Sequence, residues 1–188
     1  MAEAVLKSLT ALGHDIPQVF EIGPYRIAER FDVALASLAS RKGREKDVTK
    51  IAKTKMVRLP PPSSAAAGKT YGAFWLSTEQ WMIEAPFADH EDIAAHLKSI
   101  FVDAASITEQ TDAWVRFDVS APHLQPLFEK LCNVDIATTP IGFATRTVID
   151  HLGCYVIKRA KAEVTIYGPR SSATSLLHML DVTARSLI

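Results

Sequence analysis

His151–Ser172, HLGCYVIKRAKAEVTIYGPRSS, sets out the succession of strand, turn and helix that the rest of the chain repeats. Residues 143–157 read as two strands, or as one long strand bent near Gly153. Residues 164–167 form another strand, and the turn between them spans Arg159–Glu163. Gly168–Ser172 then punctuates the change to a terminal helix, with Leu176, Leu177, Leu180, Ala184 and Leu187 on one side.

The same grammar runs backward through the chain. Gln18–Ala39 is mostly extended, with alternation at Phe31, Val33 and Leu35. GAFWLSTEQWMIEAP (72–86) reads as a β-hairpin, turning at Ser77–Gln80. DHEDIAAHLKSIF (89–101) reads as a helix capped by Asp89, with Ile93, Leu97 and Ile100 on one face. Residues 107–119 alternate again, and Pro122 opens a helix carrying Leu124, Leu127, Phe128 and Leu131. Residues 2–12 read as a short amphipathic helix, and 45–56 as a helix with a narrow stripe at Val48, Ile51 and Ala52. These alternations predict an α+β fold, mostly antiparallel, with packed helices, compatible with a split β-α-β arrangement. The expected organisation is a single domain over 1–188, with a peripheral N-terminal arm (1–24) and a Pro-rich loop (59–72), LPPPSSAAAGKTYG.

Composition narrows the function classes. With 188 residues and 48 % hydrophobic content, the chain can bury a core without metals or disulfides. The 21 basic and 21 acidic residues cancel, so no global charge draws the protein to nucleic acid or an anionic membrane. No apolar run approaches the roughly 20 residues that span a bilayer, and the N-terminus lacks a signal-peptide pattern. The expected location is cytoplasmic. One segment is polarised: 41–58 holds eight Lys and Arg against Glu45 and Asp47, a net +6. It lacks interleaved aromatics for base stacking, so a solvated helix or docking onto an acidic partner subunit is expected instead.

The candidate chemistry is sparse. His151 and Cys154 suggest a base and a nucleophile, but residues three apart on a strand point to opposite faces. Gly168–Ala173 offers Ser171 or Ser172 as an anion-binding helix start, which reads more simply as a cap beside a surface arginine. Asp89, Glu91 and Asp92 suit the helix dipole. His90 and His96, six apart, fall on different helix faces, and no metal-ligand spacing exists among the six histidines and two cysteines. Trp75, Trp81 and Trp114 read as core anchors. Asp112 beside Trp114 and Glu79 beside Trp81 are the pairs suited to holding a pterin ring. No catalytic, cofactor-binding or metal-binding residue is assigned.

An ordered series of weak motifs carries a resemblance over roughly residues 25–188. They are VALASLASRKGR (33–44), RLPPP (58–62), WLSTEQWMIEAP (75–86), TEQTDAWVRFDVSAPHLQPLFEKLCNVDI (108–136), RTVIDHLGCYVIKR (146–159) and YGPRSSATSLLHMLDVTARSL (167–187). Together they resemble the γ subunit of heterotetrameric sarcosine oxidases. The resemblance implies a fold similar to the folate-binding domains of the glycine-cleavage T protein. It implies a non-catalytic subunit, partnered by α, β and δ chains, of a flavoenzyme that oxidatively demethylates sarcosine to glycine. Hydrogen peroxide forms, with formaldehyde or 5,10-methylenetetrahydrofolate. FAD, FMN, NAD, tetrahydrofolate and zinc are expected in the other subunits, none in this chain. The alternative is a free-standing folate-binding or one-carbon-transfer protein of the T type.

Overall fold

The structure, a computed structural model, describes residues 7–188. Those residues build two antiparallel sheets. The six-stranded sheet holds β1 (Val19–Ile22), β2 (Tyr25–Arg30), β8 (Trp114–Ser120), β9 (Ala144–Ile149), β10 (Leu152–Ala160) and β11 (Glu163–Pro169), in spatial order β1-β2-β8-β11-β10-β9. The five-stranded sheet holds β3 (Val33–Ser40), β4 (Ala65–Ala66), β5 (Gly72–Ser77), β6 (Gln80–Pro86) and β7 (Ala105–Glu109), in order β4-β5-β6-β3-β7. Helices α1 (Glu45–Thr54) and α2 (Ile93–Phe101) accompany the smaller sheet, and α3 (Gln125–Leu131) and α4 (Ala173–Arg185) the larger.

Three hydrophobic clusters define the layering. Val48 and Ala52 of α1 and Ile93, Leu97 and Phe101 of α2 pack on Ala34, Ala36 and Leu38 of β3 and on Ile83 of β6. Leu127 and Phe128 of α3 and Leu176 and Leu180 of α4 pack on Phe117, Cys154, Val156 and Ile166. The third cluster, Leu35, Phe74, Met82, Tyr155, Ile157 and Tyr167, draws on both sheets. The layers therefore run helix, sheet, sheet, helix. Side chains alternate across a strand, so Ala34 and Ala36 face the helices while Leu35 faces the other sheet. Each central strand is buried on both sides, and burying the side chains of the third cluster contributes on the order of 2 kcal/mol apiece. The sheets also touch at one edge, where Ser64 bridges to Phe143 and the Ala65 N–H donates to the Gly142 carbonyl at 2.6 Å.

In the smaller sheet β3-α1-β5-β6-α2-β7 is a β-α-β-β-α-β unit. In the larger sheet β8-α3-β10-β11-α4 follows the same scheme. Its fourth position, beside β8, is taken by β2 from the start of the chain. The expected α+β fold and split β-α-β arrangement are present, in two copies packed sheet to sheet.

Several local expectations are corrected. Residues 7–12 are not helical, and the remainder of the expected 2–12 helix lies outside the described residues. Gln18–Ala39 is extended as expected, in β1, β2 and β3, with Val19–Ile22 at the sheet edge. Phe31 is 57 % exposed, in the turn before β3. Within the Pro-rich loop, Ala65–Ala66 pairs with Phe74 and Ala73. Asp92, not Asp89, caps α2, its carboxylate accepting from the Ala95 N–H at 2.9 Å. Pro126, not Pro122, opens α3. The alternating run 107–119 breaks at a 3-10 turn, Thr111–Ala113, into β7 and β8 of different sheets. Of the two readings of 143–157, two strands is the one found, turned at Asp150 and His151, both at positive φ.

Two buried ionic side chains hold peripheral segments. Glu29 on β2, 2 % exposed, accepts from the backbone N–H groups of Leu12 and Gln18 at 3.0 and 3.1 Å, tying 12–18 to the sheet. Lys158 on β10 donates from Nζ to the carbonyls of Ile136 (2.7 Å) and Thr139 (2.6 Å), pinning the segment between α3 and β9.

Candidate functional site

Between the apolar faces of the two sheets lies a cluster of charges. β6 runs WMIEAP, so Glu84 falls on the inner face with Met82 while Ile83 and Ala85 face the helices. Its neighbour across the strands is Gly72, where an added Cβ would stand 3.0 Å from Glu84 Oε2; the glycine leaves room for the carboxylate. β8 alternates Val115, Phe117 and Val119, which face the helices, with Arg116 and Asp118. Antiparallel register sets Tyr167 opposite Arg116 and Thr165 opposite Asp118. Arg159 sits where the β10–β11 ladder is bulged, a device that re-aims a side chain.

The contacts close into one network. Glu84 Oε1 accepts from the Tyr167 hydroxyl at 2.5 Å and from Arg159 Nη2 at 2.6 Å. Arg116 forms a two-pronged pair with Asp118, Nε to Oδ1 at 2.9 Å and Nη2 to Oδ2 at 3.0 Å, and lies 3.8 Å from Glu84. The Thr165 hydroxyl donates to Asp118 at 2.7 Å and accepts from Arg159 Nε at 3.1 Å. Two guanidiniums thus balance two carboxylates. Burial, then the Glu84 charge, pushes the Tyr167 phenol well above its ordinary range, so it stays a proton donor. For Arg116 burial acts downward, but the Asp118 and Glu84 carboxylates outweigh it and the guanidinium is held charged.

The network opens on a cleft of about 380 Å³ that Asp32, Lys69 and Glu163 also line. Asp32 is engaged with Arg30, whose guanidinium holds its carboxyl below the usual range. The arrangement's chemistry is electrostatic cross-linking of two sheets. Its proton and its charges are committed to partners within the chain.

The residues singled out from sequence are scattered. His151 is exposed in the β9–β10 turn, while Cys154 is fully buried under α4, its thiol pushed up to about 11 by burial; they form no dyad. Ser172 precedes α4 without a side-chain capping bond, and Ser171 is exposed, so the capping expectation fails there. Arg170, half-buried, donates to the Leu9 carbonyl at 2.8 Å. Asp89 and Glu91 are exposed. His90 and His96 correct the expectation of separate faces: His90 precedes the helix and folds back until the rings are 5.6 Å apart, both beside Tyr71.

Neither pterin pair presents an acid and an open ring together. Asp112 is 93 % exposed and lies 3.7 Å from Arg170, while the Trp114 indole donates to Gln110. Glu79 accepts from the Ser40 hydroxyl at 2.8 Å, and Trp81 is 9 % exposed with its indole N–H on the Pro60 carbonyl. Trp81 is a core anchor, as expected, and Trp75 packs half-buried against the same core.

The sequence reading passed over Glu84, Arg116, Asp118, Arg159 and Tyr167. The available signal was charge inside alternating apolar strands, as in WVRFDVS, where Arg116 and Asp118 share one face.

No protein-family model matches the chain, and no curated protein matches it in sequence. Among solved structures, the chain is similar to one of heterotetrameric sarcosine oxidase from Corynebacterium sp. U-96 in complex with pyrrole 2-carboxylate. The TM-score is 0.75 at 14 % identity, covering 89 % of this chain and 87 % of that one. It is also similar to glycine cleavage system aminomethyltransferase T from Bartonella henselae. There the TM-score is 0.60 at 11 % identity, covering 84 % of this chain but 48 % of that one, so this chain spans about half of that enzyme chain. At these identities the likeness shows the fold: the two-sheet α+β architecture of sarcosine oxidase and T-protein structures. Among the described residues no helix is long and apolar enough to cross a membrane.

Proposed function

We propose that this chain is a structural, γ-type subunit of a heterotetrameric flavin-dependent sarcosine oxidase, or of a relative acting on another N-methyl amine. The observation that carries this is the end-to-end correspondence with a chain of a heterotetrameric sarcosine oxidase, 89 % of one and 87 % of the other, against half of the T-type enzyme chain. The motif series from 33 to 187 supports the same reading. The inter-sheet network supports the structural part, because Glu84 of the smaller sheet is engaged by Arg159, Arg116 and Tyr167 of the larger.

On this reading FAD, FMN, NAD, tetrahydrofolate and zinc belong to the α, β and δ chains, and this chain contributes a stiff body against which they are held. The test is native mass spectrometry of the protein purified at its natural level from its source. The expected result is this chain in stoichiometric association with larger flavin-bearing chains, with amine-dependent peroxide formation. A lone monomer that binds tetrahydrofolate tightly would overturn the reading and establish the free-standing T-type alternative.

A further inference from the structure

On the outer side of the smaller sheet, α1 and the segment 56–61 enclose a groove of about 740 Å³. Its open apolar wall is built from Met56, Leu59 and Pro61, over buried Val57 and Pro60. Around it stand Lys53, Arg58 and Lys69, and none of the three forms a salt bridge with a described residue. The one carboxylate at the groove, Glu79, is engaged by Ser40. The contrast with the inter-sheet network is direct: there every cation is matched inside the chain, and here three are left to solvent.

Met56 stands at the groove in the left-handed region (φ 56°) with 76 % of its surface exposed. That conformation ends α1, with the Val57 N–H closing on the Ala52 carbonyl at 2.9 Å, and it turns the Met56 side chain out to solvent. Methionine's flexible thioether adapts to an incoming apolar side chain. Lys42 and Lys46, basic positions of the same segment, do not line this groove.

We propose that this groove docks an acidic segment of a partner chain, one apolar side chain seated against Met56, Leu59 and Pro61 and flanking carboxylates paired with Lys53, Arg58 and Lys69. Charge complementarity selects the occupant: unmatched cations around an apolar wall disfavour a purely apolar or basic segment. The identity of the partner rests on the subunit reading above; the chemistry of the groove does not.

Two arms separate the ideas. In the first, the co-expressed complex carries Lys53→Glu, Arg58→Glu and Lys69→Glu together, with Lys42→Glu and Lys46→Glu as control. The groove variant is expected to weaken association about tenfold, as three exposed pairs predict, while the control assembles normally. In the second, the full chain is titrated with a short fluorescein-labelled peptide of glutamates bearing one leucine and one phenylalanine. Saturable binding is expected, weakened by salt and lost in the groove variant with an unchanged circular dichroism spectrum. Normal assembly of the groove variant, or peptide binding that survives the substitutions, overturns the proposal and leaves the subunit reading standing. If the wild-type chain has no partner but the peptide result holds, the subunit reading falls and the groove remains. A homodimer dissolved by the groove variant, or a small anion retained there in native mass spectra, replaces the proposed occupant and refutes it.

Discussion

The hydroxyl of Tyr167 donates a 2.5 Å hydrogen bond to Oε1 of Glu84, from one sheet to the other and across 83 residues of chain. The same oxygen takes Arg159 at 2.6 Å. Removing one member of a buried ion pair leaves the other uncompensated, which costs about 3–5 kcal/mol. Glu84→Gln is therefore expected to destabilise the chain by about 3 kcal/mol, read as a lower urea midpoint at unchanged slope. Tyr167→Phe should cost less, about 1–2 kcal/mol, since it removes one hydrogen bond. A double-mutant cycle between Glu84 and Arg159 should show strong coupling. Additive effects would mean the network is not a unit.

Lys158→Met is expected to loosen the connection between α3 and β9. The aliphatic stem is preserved, but the carbonyls of Ile136 and Thr139 lose their donor. Two unsatisfied acceptors cost about 1–3 kcal/mol each where water cannot reach them. Limited proteolysis should gain a cut within residues 133–142 before the sheets open. Cleavage at the wild-type rate would contradict the pinning role.

Glu29→Gln tests the attachment of the N-terminal segment. The carboxylate accepts from two backbone N–H groups, and an amide can accept at only one of its two ends. The Leu12 or Gln18 amide should lose hydrogen-exchange protection while the centre of β2 keeps it. Global stability should fall by about 1–2 kcal/mol. Unchanged protection at both amides would show that the segment is held by other contacts.

Cys154 should be inert in the native state. Burial pushes its thiol up to about 11, so its thiolate at pH 7 is on the order of one part in ten thousand. Ellman's reagent should leave it unmodified in the folded chain and titrate it on unfolding. Its reactivity should rise as pH approaches 11, if the fold survives there. Fast reaction at pH 7 would mean that α4 opens readily from the sheet.

Much of the fold was legible in the residues. Period-two alternation marked the strands, the hairpin turn at Ser77–Gln80 fell where Thr78 and Glu79 turn the chain, and the apolar stripes of α1 and α4 lie on buried faces. The charged residues in WVRFDVS and WMIEAP were visible too, but their meaning was not. A carboxylate on a strand is read as facing solvent, and here both faces of the central strands are buried. Alternation then separates two cores from each other instead of inside from outside, and Leu35 and Ala36 look alike in the sequence although they face different layers.

Local pattern settles which stretches are strand or helix, and how charge and apolar content balance. Long-range packing divides 107–119 between two sheets, completes the sheet built by β8, β10 and β11 with β2, and brings His90 to His96. It also brings Glu84 to residues 75 and 83 positions away. The physical reason is one of range. Periodicity and turn chemistry act over a few residues, where the peptide geometry is common to all chains. Partner choice between strands is settled by packing and by the cost of leaving a buried charge alone, and those terms exist only once distant segments have met.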